Sequence, residues 1–227
     1  MNIKSSKMTF MLYLTAVFSM LFMLVSNSAM AGTIVNSDHD LQAQGLASEI
    51  CVACHTPHNA DVTTTAAPLW NHALTSMTYT LYGVGSTTLN ATLSQPDGIS
   101  KLCLSCHDGS VALDSFGGTT GGTFITPSRN IGGDAESLTD DHPISFTYDA
   151  DLVTADAALN PVTTTVRIGD PSGVGDFKDG TIDTLMLFGG RMECASCHDV
   201  HNKFTNGGAL LRISTNNSDL CLTCHDK

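Results

Sequence analysis

The sequence predicts a mostly coiled chain with short helices at four Cys-x-x-Cys-His sites and little β-structure. Three observations carry this expectation. All eight cysteines of the 227-residue chain fall inside four pentapeptides. Aromatic residues make up only 6%, few for a chain that must build its core from its own side chains. Beyond the N-terminal segment, no apolar repeat of helical period outlasts about three turns.

Taken in chain order, the first element is a leader. Lys4 and Lys7 precede an uncharged stretch from Met8 to Val25, and Ala29-Met30-Ala31 has the small-x-small form of a signal-peptidase site. The expected organisation is a signal peptide over 1–31 and one domain over 32–227, beginning at Gly32. The competing reading is a retained anchor helix, since Met8–Val25 is only just long enough to span a bilayer. Cleavage removes both lysines and no acid, so the formal charge falls from -12 to -14. It also leaves Met77, Met186 and Met192 as the only methionines, all in contexts that read as packing. With 22 acids against 10 bases the chain lacks the basic face that phosphate neutralisation needs, which excludes nucleic acid as a partner.

Residues 59–100 are rich in Thr, Ala and Ser, with a short strand expected over Met77–Tyr82 and a turn at Gln95-Pro96-Asp97-Gly98. A helix is expected over Ile99–His107. The gap from Asp108 to Glu193 carries paired glycines at 117–118, 121–122, 132–133 and 189–190, and a β-branched strand over Thr163–Ile168. The acidic segment Asp170–Gly180 lacks EF-hand spacing and reads as a solvated turn rather than a calcium loop. A last helix is expected over Ser218–His225, with Ser218 or Asp219 as its N-cap.

The pentapeptides are Cys51-Val-Ala-Cys54-His55, Cys103-Leu-Ser-Cys106-His107, Cys194-Ala-Ser-Cys197-His198 and Cys221-Leu-Thr-Cys224-His225. In an exported chain a disulfide framework would be the default, but this spacing overrides it. Cys-x-x-Cys-His is the attachment signature of haem c: two thiols form thioethers with the macrocycle, and the adjacent His gives iron its proximal nitrogen. One match could be a zinc half-site or a redox pair. Four matches with no cysteine left over point to four covalent haems, with His55, His107, His198 and His225 as proximal ligands. The expected fold is therefore a multihaem c-type cytochrome in which the haem stack is the core, replacing the flat apolar surface that aromatic side chains usually provide.

Five histidines remain for the distal side: His39, His58, His72, His142 and His201. A second strong ligand closes an iron to small molecules and favours electron transfer. His58 and His201 each lie three residues beyond a proximal His, on the same side of the turn, so each is better placed to reach a neighbouring haem than its own. His39, His58, His142 and His201 are the expected distal set, and His72 is the one dropped. Spacing assigns His39 to the first iron, His201 to the second, His142 to the third and His58 to the fourth, the last within the chain or across a subunit boundary.

Cys51-Val-Ala-Cys-His-Thr-Pro-His-Asn-Ala60, Ala67-Pro-Leu-Trp-Asn71, Lys101–Gly109, Asp141-His-Pro-Ile-Ser-Phe146 and Glu193–Asn202 together resemble the tetrahaem outer-surface cytochromes of metal-reducing bacteria. The resemblance implies a mostly coiled subunit of a filament, or nanowire, with haems stacked continuously. It also implies a homopolymer joined by an inter-subunit haem ligand, here at the position of His58. Other redox cytochromes and extracellular acceptors such as metal oxides would be its partners, at the cell surface. A discrete periplasmic or surface shuttle carries the same haem signals. A multihaem reductase would need an open iron, and a quinol oxidase of the anchored tetrahaem type would need a retained N-terminal helix.

Overall fold

The computed structural model describes residues 34–83, 89–132, 137–172, 176–205 and 209–226. The leader and residues 173–175 of the acidic segment lie outside these. Residues Gly32–Lys227 form one compact unit. No described helix is long and apolar enough to cross a membrane.

Coil and turns dominate, as expected. Helix α1 spans Gly98–His107, α2 Ala150–Ala155, α3 Cys194–Cys197 and α4 Asp219–Cys224. The third and fourth pentapeptides thus coincide with α3 and most of α4, and the second ends α1. The first is a bare turn, contrary to the expectation of a helix at every site: its amides close on Cys51 O from Cys54 and His55, at 3.2 and 2.8 Å, without a longer run.

Three two-stranded ladders complete the regular structure. Strands β1 (Thr80–Leu81) and β2 (Ser137–Leu138) pair in parallel, and β3 (Phe146–Thr147) pairs antiparallel with β6 (Arg191–Met192). The expected Met77–Tyr82 strand is this short because a side chain stands in for a neighbour. The Gln95 amide accepts from Tyr79 N at 2.8 Å and donates to Tyr79 O at 2.9 Å, so both polar groups of that residue are satisfied without a ladder.

The β-branched segment forms β4 (Thr165–Gly169), and its partner β5 (Phe177–Thr181) comes from the acidic segment. That segment is half of a hairpin, not only a turn. Asp179 is held by Arg167 through two hydrogen bonds of 2.6 and 2.9 Å, and the same guanidinium covers the Phe177 ring at 4.4 Å. A carboxylate committed in this way is not free for calcium.

A π-helical turn, Ile182–Met186, follows β5 and is boxed by Thr181 and Thr184. It carries the centre of an aliphatic cluster: Ile182, Leu185, Met186 and Leu187 pack with Phe146, Tyr148, Ile168, Met192 and Cys224. The chain therefore has a side-chain core of its own beside the fourth pentapeptide. Periodicity did not reveal it because only the short π turn contributes several members, and the rest come singly from β3, the hairpin, β6 and the fourth pentapeptide. Met186 and Met192 are packing residues here, 1% and 6% exposed. A smaller cluster of Tyr79, Leu104 and Leu138 lies under α1.

Candidate haem-binding sites

Each pentapeptide is closed by a local bond and braced by a second segment. His55 N, His198 N and His225 N donate to the carbonyl of the first cysteine of their own motif at 2.8, 3.1 and 2.9 Å. The segment that returns past the first motif donates Asn71 N to Cys54 O and accepts Thr56 N at Leu69 O, both at 2.9 Å. The third and fourth motifs repeat the pattern. Arg212 N donates to Cys197 O and Asp199 N to Leu210 O; Asn160 N donates to Cys224 O and Asp226 N to Ala158 O. The same brace is thus built three times from unrelated sequence.

The brace fixes the imidazoles. His55 Nδ1 lies 2.6 Å from Pro68 O, His107 Nδ1 3.1 Å from Arg129 O and His198 Nδ1 2.7 Å from Ala209 O. A ring whose Nδ1 proton sits on a carbonyl presents Nε2 as the ligating lone pair. Among the candidate distal rings, His142 does the same through Pro143 O at 2.8 Å. The carbonyls escaped sequence reasoning because any residue supplies one. Asn59 and Asn202, which follow the second His of each His-x-x-His, did leave a signal. Both hold left-handed backbone, φ 57° and 54°, which Asn tolerates better than most residues.

Three pairs of rings face each other. Centroids are 6.2 Å apart for His55 and His201, 6.0 Å for His39 and His107, and 6.4 Å for His142 and His225, with planes at 12°, 47° and 74°. Two metal–nitrogen bonds of about 2.0–2.1 Å, plus about 1.1 Å from each nitrogen to its ring centre, span roughly 6.3 Å. The spacing suits one iron shared by two imidazoles. His39 Nδ1 is buried with no hydrogen-bond partner, a second sign of a nitrogen available for metal. Burial, aided by the His107 ring, pushes the His39 pKa down and keeps the ring neutral, the form that ligates.

These pairs differ from the assignment that spacing suggested. His39 faces the second motif rather than the first, His201 the first rather than the second, and His142 the fourth rather than the third. Tertiary path decides this: His225 bridges to Leu159, so the fourth motif folds back on the long middle gap that carries His142. His58 and His198 belong to none of the three pairs, and both are exposed. His72 is 5% exposed, with Nδ1 and Nε2 2.8 and 3.0 Å from the carbonyl oxygens of Ala73 and Ala112. It lies beside the Cys106 sulfur, 3.6 Å from Nε2.

The thiols of successive motifs are neighbours. Cys54 acts electrostatically on Cys106, Cys194 on Cys103, and Cys221 on Cys197. Burial pushes the Cys54 thiol up to about 11 and those of Cys106 and Cys224 to about 12. Between the second and third motifs lies a buried carboxylate, Glu193, 2% exposed. It accepts from Ser100 N at 3.2 Å, from Ser100 Oγ, from Ser145 Oγ at 3.0 Å and from Arg191 Nε at 3.2 Å.

A family described as "Doubled CXXCH motif" matches residues 188–227, which hold the third and fourth pentapeptides. No curated protein matches the chain. The paired motif points to a haem c electron-transfer protein, and the Cys-x-x-Cys-His motifs indicate covalent haem attachment.

Proposed function

We propose that the chain is an exported tetrahaem c-type cytochrome that carries electrons without bond-making chemistry, as a filament subunit of the OmcE type. The haems would be held by Cys51/Cys54 with His55 and His201, by Cys103/Cys106 with His107 and His39, by Cys194/Cys197 with His198, and by Cys221/Cys224 with His225 and His142. The observation that carries this reading is the set of three imidazole pairs spaced for one shared iron. When bound, haem would supply one-electron redox chemistry, and two imidazoles at one iron would close it to small molecules. The protein's part is to hold the ring nitrogens in place and to bring successive motifs together, as the neighbouring thiols suggest.

The third site lacks an internal second imidazole among the described residues, while His58 is an exposed imidazole outside the pairs. The filament reading joins these two facts: His58 of one copy completes the site at His198 of the next. It favours the third motif over the fourth as acceptor. An iron at His198 with no second imidazole is what a multihaem reductase would need, so the third site also separates the two functions.

The test is expression of the full chain with haem-maturation machinery, followed by intact mass and electron microscopy. Four haem additions on a chain beginning at Gly32, and filaments with no carbon monoxide binding after reduction, are expected. Fewer than four haems defeats the cofactor count. A monodisperse monomer binding one carbon monoxide per chain would replace the filament with a soluble shuttle or reductase.

A further inference from the structure

The two His-x-x-His loops share a turn but differ at both inner positions, Thr56-Pro57 in the first and Asp199-Val200 in the third. In the first, Thr56 Oγ1 accepts from His58 N at 3.3 Å; in the third, Asp199 Oδ1 accepts from His201 N at 3.1 Å. Each then turns through a left-handed Asn, at 59 and 202. A neutral hydroxyl makes this turn in the first loop, so the turn does not require the charge carried in the third. The Asp199 side chain is only 15% exposed, and its Oδ1 lies 3.9 Å from His201 Nδ1. Among the described residues His201 is the only group at ion-pair distance from it, and the Arg212 guanidinium lies within electrostatic reach.

We propose that Asp199 is a tuning residue: its fixed negative charge against the ring of His201 lowers the reduction potential of the haem site at Cys51/Cys54. The inference rests on the reading of His55 and His201 as an axial pair. Ferric iron carries one more positive charge than ferrous, so a nearby carboxylate favours the oxidised form. Reduction of this site takes up one electron and makes or breaks no bond. Rings that lie only 12° apart, as at His55 and His201, give a rhombic low-spin ferric signal, whereas the 74° of His142 and His225 gives an extreme-g one. The site can therefore be picked out by paramagnetic resonance.

Two variants of the full, haem-loaded chain test the idea. Asp199→Asn removes the charge at the same size and keeps one acceptor oxygen, for either His201 N or the Lys203 and Phe204 amides that Asp199 Oδ2 holds at 3.0 and 2.9 Å; Asp199→Thr installs the chemistry of the first loop. With dithionite as the electron source, both variants should retain four haems by mass. In both, the component with the most rhombic signal should shift to more positive potential, the other three staying in place. Unshifted potentials in both variants, or a shift of a different component, overturn the assignment and leave Asp199 as a loop cap. A wild-type chain with fewer than four haems, or without a rhombic signal, overturns the axial-pair reading itself and this inference with it.

Discussion

At the residue scale, His72 and the proposed ligand His39 differ in what their nitrogens meet. Both are largely enclosed, but His72 turns both nitrogens to carbonyl oxygens, whereas His39 keeps a buried nitrogen without a partner. His72→Ala is expected to retain four haems and an unchanged low-spin spectrum. It should lose roughly 1–3 kcal/mol of stability from the unsatisfied carbonyls and the gap left behind, read by denaturant titration of the holoprotein. A high-spin component in this variant would instead make His72 a ligand. The haem-attachment motifs were legible because five consecutive residues state each one. The pairing of the histidine rings was not, since His142 reaches His225 only through the fold-back at Leu159, and no spacing in the sequence encodes that return.

At the scale of elements, Glu193 joins pieces that are individually too small to stand. Helix α1 begins after Asp97, whose side chain makes no capping bond; its amide at Ser100 is capped from outside, by Glu193. The exchange is reciprocal, because Ser100 Oγ accepts from Cys194 N at 3.0 Å at the start of α3. Ser196 Oγ in turn accepts from Glu193 N at 2.9 Å. One carboxylate thus registers the second pentapeptide against the third, and α3, a single turn, could not hold its cysteines in place unaided. Glu193→Ala removes the acceptor of four donors and takes the carboxylate from Arg191, which keeps only its bond to Ser145 O. It should cost about 3–5 kcal/mol, the scale for breaking a buried charged pair, while Glu193→Gln should cost less. Denaturation midpoints of the two variants, at equal haem content, check the order. Little of this was readable beforehand: the sequence shows a Glu beside a cysteine, and only the fold brings Ser100 and Ser145 to it.

At the scale of the whole molecule, charge and assembly oppose each other. Without the proposed leader the chain would carry a formal charge of -14, before haem propionates are added, and would repel its own copies, so a polymer needs a contact that is strong and directional. The proposed bond from His58 of one copy to the iron at His198 of the next is of that kind. It is also heterologous: donor and acceptor are different surfaces, so the contact repeats head to tail without closing unless the rotation happens to form a ring. Directionality makes it testable beyond simple loss of filaments. His58→Ala can accept a ligand but cannot donate one, and His58 lies outside the three internal pairs, so the variant should carry four haems, three of them unable to bind carbon monoxide. Alone it should form no filaments. Mixed with wild type during assembly it should add at one end only and stop growth there, so mean filament length in micrographs should fall as its share rises. Filaments of normal length in the mixture, or in the variant alone, would move the junction away from His58 and leave the site at His198 to be completed from elsewhere.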